Sequence, residues 1–210
     1  MKIEIWSDIM CPFCYLGKRR LEKALERFPH KDEVEIAWKS FQLNPDMKTE
    51  PGKSINQYLA ETKGWSLEHT RKLHERLTMA AANEGLLYDF DRAVVANSFD
   101  AHKLIQFAKA KGLADAMEER LFKGYFSEGK NIADPASLIA MAVEAGLDGA
   151  EAKAALESDV YAAGVLEDIR EAQMLGVTGV PFFVLDRRFA VSGAQDTGVF
   201  LKALDKAHDA

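Results

Sequence analysis

Strand-forming alternation is confined to the two ends of this chain, and that confinement limits the fold more than any other feature. Residues 2–7, Lys-Ile-Glu-Ile-Trp-Ser, alternate polar and apolar side chains as a half-buried strand requires. From Cys14, the residues Tyr15, Leu16, Leu21, Leu25 and Phe28 recur at helical spacing until Pro29, which cannot continue a helix. Residues 33–41 alternate again, so the first 43 residues read strand, helix, strand with a short crossover. At the other end, Val177-Thr178-Gly179-Val180-Pro181 leads into the apolar run Phe182-Phe183-Val184-Leu185. Asp186-Arg187-Arg188 supplies a tight turn and Phe189 to Ser192 return as a partner strand. A last helix over 196–207 carries Val199, Phe200, Ala203, Leu204 and Ala207 on one face.

The middle of the chain has no strand signal. Pro45 to Lys53 reads as a polar loop, and helical periodicity fills 54–61, 66–85, 97–111, 113–126, 135–145 and 148–175, the last broken near Asp159. Ser66, Asp134 and Asp148 stand where N-caps belong, and Gly64, Gly85, Gly112 and Gly146 where helices should end. The expected architecture is an α/β domain made from residues 1–44 and 158–210, with an all-helical domain, 45–157, inserted into it. The helix leading up to Gly176 is assigned to the α/β domain as its second crossover.

Composition removes several function classes. The 27 Lys and Arg against 33 Asp and Glu give a net charge of −6, without the basic footprint of a general nucleic-acid binder. No apolar stretch approaches the roughly 18 residues of a membrane span. Glu4 and Asp8 interrupt any apolar leader core, so the expected location is the cytoplasm. Two cysteines cannot make a disulfide-dense scaffold, and in a reducing compartment a close pair is more often catalytic or metal-binding than structural.

That pair is Cys11-Pro12-Phe13-Cys14, just after a strand and at the mouth of a helix. There the first thiol lies near unpaired backbone N–H groups and the positive end of the macrodipole, which favour a thiolate. Cys14 falls one turn deeper. The spacing predicts an exposed attacking sulfur at Cys11 and a shielded resolving sulfur at Cys14. Pro12 at the helix start loses no hydrogen bond. A zinc site usually needs four ligands, and His30, His69, His74, His102 and His208 show no cluster by spacing, so no metal is expected.

With this context, Thr178-Gly179-Val180-Pro181 before a strand resembles the thioredoxin superfamily. The resemblance implies a cis proline at Pro181 facing the cysteine pair, with the Val180 backbone offered to an extended substrate. Trp6-Ser7-Asp8 before Cys11-Pro12-Phe13-Cys14-Tyr15-Leu16-Gly17 is similar to the DsbA family, FrnE-like branch. So are Asn97 with Asp100-Ala101-His102, Gly176 to Pro181, and Val191-Ser192-Gly193-Ala194-Gln195. The family implies a thioredoxin fold with an inserted helical domain, and thiol–disulfide exchange on protein or peptide substrates. It implies no organic cofactor beyond the redox-active cysteines, with glutathione as a possible co-substrate, and a monomer or homodimer. Two departures stand out. Phe13 occupies the position of a His in DsbA and cannot donate a hydrogen bond to a Cys11 thiolate, and the second Cys motif of some FrnE-like proteins is absent.

The same superfamily branch holds glutathione-dependent isomerases of the hydroxychromene-carboxylate type and kappa-class glutathione transferases, whose first Cys position is typically Ser. Cys11 favours disulfide exchange instead. Gln195-Asp196 nevertheless opens the last helix, where those relatives receive the γ-glutamyl end of glutathione; simple capping by Asp196 is the blander alternative. The bland readings elsewhere are a solvent-facing Glu4 rather than a proton acceptor beneath Cys14, Lys39 pairing with Glu4 or snorkelling, and Trp6 in the core or at a groove. Phe41 and Phe182 are assigned to the core, Asn97 or Ser98 to a helix cap, and Lys18-Arg19-Arg20 to a solvated helix face.

Overall fold

A computed structural model describes residues 1–210. In chain order the elements are β1 (Lys2–Ser7), α1 (Pro12–Arg27), a 3-10 turn (Lys31–Glu33) and β2 (Glu35–Ser40). Then come β3 (Glu50–Ser54), α2 (Ile55–Lys63), α3 (Leu67–Asn83), β4 (Val94–Val95), α4 (Phe99–Ala110), α5 (Ala114–Phe126), α6 (Pro135–Glu144) and α7 (Gly149–Glu157). The chain closes with α8 (Asp159–Met174), β5 (Phe182–Leu185), β6 (Phe189–Ser192) and α9 (Thr197–His208). Two compact units result: Met1–Leu43 together with Asp159–Ala210, and Asn44–Ser158.

The first unit is a four-stranded sheet in the order β2-β1-β5-β6, with β1 and β2 parallel and the other neighbours antiparallel. Period-two alternation sorts its residues between faces. Ile3 and Ile5 of β1 pair with Leu185 and Phe183 of β5 and share the face covered by α1 and α9, where the Phe183 ring meets Phe200 edge-on at 4.7 Å. Glu4 and Trp6 point to the opposite face, where Trp6 packs with Val184, Val177 and Ala172 of α8 and donates its indole N–H to the Asp168 carbonyl at 3.0 Å. Trp6 is therefore core. Phe41 and Phe182 are half-buried at the edge of the same cluster. The hairpin turn uses Asp186 and Arg187 at positive φ, 47° and 55°, and its geometry places the Arg187 side chain back over the sheet.

The second unit is not all-helical. Glu50–Ser54, inside the segment read as a loop, pairs antiparallel with Val94–Val95. The sequence EPGKS carries charge, Pro and Gly, shows no alternation and stays mostly exposed, so it has no intrinsic strand signal and is held by its partner. The helices follow their capping chemistry: Ser66, Asp134 and Asp148 accept from the amides of His69, Ser137 and Glu151. Gly64 and Gly146 end α2 and the α6 turn at φ 66° and 94°. The break between α7 and α8 falls at Ser158, whose backbone is extended.

Candidate active site

Asp8 organises the turn between β1 and α1. Its carboxylate is buried and accepts from the amides of Met10 (3.3 Å) and Leu43 (2.8 Å), while its carbonyl accepts from Cys11 N–H at 2.9 Å. Cys11 then takes the N-cap position of α1 in extended conformation, and its side chain makes no capping bond. Pro12 is the first helical residue, as its missing amide proton permits. The Cys11 thiol donates to the Val180 carbonyl at 3.5 Å, and the Val180–Pro181 peptide is cis. Cys11, Cys14, Val180 and Pro181 are thus brought together from opposite ends of the chain.

Gly17, one turn beyond Cys14, makes the approach possible. A Cβ there would sit 3.0 Å from Pro181 Cγ and 3.1 Å from Phe183 Cζ. A glycine within an otherwise well-formed helix was the signal for this contact, since Gly costs helix stability without a packing reason.

Both cysteines are free thiols, and both are buried: Cys11 is 3% exposed and Cys14 1%. The expectation of an exposed attacking sulfur is corrected here: Cys11 is buried, with the Val180 carbonyl in hydrogen-bond reach of its sulfur. Burial pushes the Cys14 thiol well above its ordinary value, and the hydrogen bond and charge of Cys11 push it further. An Asp8 backbone N–H and the Ser7 hydroxyl pull weakly the other way. Cys14 therefore stays protonated while Cys11 faces it. Phe13, 43% exposed, leaves an aromatic surface beside the pair.

Other predicted residues fall differently. Glu4 is buried, not solvent-facing. It lies on the α8 face of the sheet, away from α1, and its carboxylate takes a bidentate pair from Arg187, both bonds 2.6 Å. Lys39 pairs with Asp168 (3.0 Å) and Glu171 (2.8 Å) rather than with Glu4, and Arg187 also reaches Glu171 at 2.5 Å. Burial lowers the Lys39 ammonium, but the bonds to Glu171 and Asp168 outweigh it and hold it above its ordinary value. Burial raises the Glu171 carboxyl, yet Lys39 and Arg187 bring it below the usual range. The run Lys18-Arg19-Arg20 is no solvated face: Lys18 is buried against Glu22, Arg19 also pairs with Glu22, and Arg20 donates to the Ala194 carbonyl at 2.8 Å. Helix α1 turns this edge inward against α9, which sequence polarity alone hid.

At the start of α9, Asp196 holds the N-cap position without a side-chain cap bond, contrary to simple capping; its carboxylate lies 3.3 Å from Arg20 Nη1. Gln195 turns back on the Ser192 carbonyl at 2.8 Å. Asn97 caps α4 through Phe99 N–H (2.9 Å), and its amide also donates to the Pro45 and Met47 carbonyls. His102 is buried in α4. The histidines do cluster in one place: His30 and His208, distant in sequence, stack at 3.8 Å beside Glu33.

The model of the DSBA-like thioredoxin domain matches residues 2–205. The chain belongs to that family. A probable DsbA oxidoreductase from Streptomyces coelicolor is 42% identical, with a TM-score of 0.94 over 100% of this chain and 90% of that one. The uncharacterized protein YwbO of Bacillus subtilis (strain 168) is 30% identical over 96% of this chain and 94% of its own length. A cytosolic disulfide reductase DsbM from Pseudomonas aeruginosa, solved with glutathione, shares the fold at 21% identity, with a TM-score of 0.66 over 100% of this chain and 96% of that one. No helix of this DsbA-like chain is long and apolar enough to cross a membrane.

Proposed function

We propose that the chain is a thiol–disulfide oxidoreductase acting through Cys11 and Cys14. The observation that carries the reading is the pair of free thiols at the mouth of α1, with Cys11 against the Val180 carbonyl and Cys14 held protonated by burial beside it. In the reducing direction the Cys11 thiolate attacks one sulfur of a substrate disulfide and the other sulfur leaves as a thiolate. The mixed disulfide consumes the Cys11 charge, removing two of the influences that raised Cys14. Cys14 then gives its proton to the departing thiolate or solvent and attacks Cys11 Sγ. The substrate leaves as a dithiol and the protein as the Cys11–Cys14 disulfide; oxidation of a substrate runs the same steps backward.

The exposed Phe13 and the half-buried Pro12 and Val180, with Pro181 buried behind them, would meet the substrate, an extended protein or peptide segment. Glutathione serves as recycling thiol in a cytoplasmic setting, a role supported by the family and by the start of α9. A γ-glutamyl ammonium arriving there would share Asp196 with the Arg20 guanidinium. No organic cofactor is required.

Labelling the reduced protein with limiting iodoacetamide and mapping the adduct tests the order of attack. Cys11 should carry the label, and Cys14→Ser should accumulate mixed disulfides through Cys11 that Cys11→Ser cannot form. Primary labelling of Cys14 would overturn the assignment. A glutathione-dependent isomerase or transferase would instead retain its small-molecule turnover in Cys14→Ser and show no substrate-linked disulfide.

A further inference from the structure

We propose that His30, Glu33 and His208 form a binding site for a borderline first-row divalent cation, Zn2+ foremost, at the far end of α1 from the cysteine pair. The ligand atoms of the three residues lie within 4.8 Å of one another. Local geometry places two of them. His30 is the N-cap of the 3-10 turn and Glu33 its last residue, and side chains three apart eclipse on such a turn. His30 Nδ1 and Glu33 Oε1 are accordingly 3.2 Å apart. Two ligands each about 2.1 Å from a tetrahedral zinc are separated by about 3.4 Å, so an ion can bridge the His30–Glu33 pair with little change in its spacing, while the stacked His208 ring must rotate to aim a nitrogen at it.

The third ligand comes from tertiary structure. His208 is the last residue of α9 and stacks on His30 with the ring planes 18° apart, while Phe28 sets its ring edge-on to both imidazoles. The side chains are 43% (His30), 66% (Glu33) and 33% (His208) exposed, leaving them free to rotate and leaving room for water. Asp209 Oδ1 lies 3.6 Å from His208 Nδ1 but outside the three-residue cluster, so water would complete the coordination.

Helix ends and fixed charges oppose one another at this place, so the cation is held by its ligands rather than by the surrounding field. Helices α1 and α9 pack together and end side by side here, so the negative ends of two macrodipoles meet at the cluster. Arg27 and Lys206 already occupy those last turns, and the N-terminal ammonium donates to the Glu33 carbonyl at 2.9 Å. Two imidazoles with one carboxylate suit zinc, cobalt, nickel or copper rather than magnesium or calcium. A bound ion would tie the C-terminal helix to the end of α1.

The test uses tag-free protein with the Cys11–Cys14 disulfide formed, so that the thiols cannot bind metal. Zn2+ is titrated against a chromophoric chelator. The expected result is one ion per chain, with affinity reduced about tenfold or more in His30→Ala and in His208→Ala and less in Glu33→Gln. Substoichiometric binding, or unchanged affinity in both histidine variants, would overturn the proposal. Histidine-ring NMR on the wild-type protein keeps the result independent of variant folding. Co2+ should shift or broaden His30 and His208 together before His69, His74 and His102, and any other order of response counts against the site.

Discussion

Each of the two units buries a titratable side chain, and they solve the resulting problem in opposite ways. In the α/β unit the buried Glu4 carboxylate is matched by Arg187, itself tied to Glu171 and through it to Lys39 and Asp168. In the helical unit His74 gives up its charge. It stacks flat on Phe90, 3.9 Å away and 5° from parallel, its Nδ1 is 2.8 Å from Asn56 Oδ1, and burial lowers it to about 4. The difference lies in the available partners. The turn at Asp186 and Arg187 delivers a guanidinium over the sheet, whereas the Asp91 charge acting on His74 is too weak to offset desolvation. A paired charge fixes geometry at the cost of sensitivity to its partner; a neutral imidazole is insensitive to partners and sensitive to pH.

The largest effect expected is chemical and confined to the α/β unit. Cys11→Ser should lower the rate of insulin disulfide reduction at least about a thousandfold while leaving the urea unfolding midpoint nearly unchanged, since Ser and Cys differ little in volume. A marked fall in stability would show that Cys11 has a structural share in the unit.

Arg187→Ala tests the paired solution. It leaves the Glu4 carboxylate buried without its partner and should cost about 2 kcal/mol in urea denaturation, below the full buried-pair penalty because Arg187 is half exposed. The double variant Glu4→Leu/Arg187→Met should recover most of that loss. Failure to recover would mean the pair contributes through geometry rather than charge balance.

His74 tests the other solution through pH. Its folded value, about 4, lies below the ordinary 6.5, so the unfolded chain binds more protons between the two. Its contribution is present above pH 6.5 and lost as the pH falls toward 4, by roughly 1–2 kcal/mol after allowance for solvent screening. The lowered Glu171 carboxyl acts in a more acidic window, its contribution being lost only as pH falls below 4.5 and through the folded value. Urea titrations of wild type and His74→Phe across that range should separate the two. A wild-type midpoint that does not fall between pH 6.5 and 4.5 would remove the neutral-histidine account.

The smallest effect concerns poise. Phe13→His adds a donor beside Cys11, should favour its thiolate and make the couple more oxidising, by about 30 mV for each tenfold change in the exchange constant. Equilibration in glutathione buffers measures it; an unchanged potential would shift attention to the Asp8 turn as the controlling group.

The sequence by itself determined the strand–helix–strand start, the hairpin–helix end, the helical caps and the cysteine pair at a helix mouth. These are local: period-two and helical alternation, capping side chains and a CxxC spacing each act within a few residues. It also carried enough of Trp6-Ser7-Asp8, the cysteines and Val180-Pro181 to point to the family. Tertiary structure decided everything that depends on which distant group faces which. Glu4 looked solvent-bound because nothing near it in sequence reveals Arg187, and Lys18 looked exposed because polarity cannot show that α1 turns that edge inward. The strand Glu50–Ser54 exists only through Val94–Val95, and the burial of Cys11, with its thiol on the Val180 carbonyl, joins opposite ends of the chain. His30 and His208 share no spacing at all; the parallel ending of α1 and α9 alone brings them into contact, since long-range packing, unlike local periodicity, leaves no repeat in the chain that makes it.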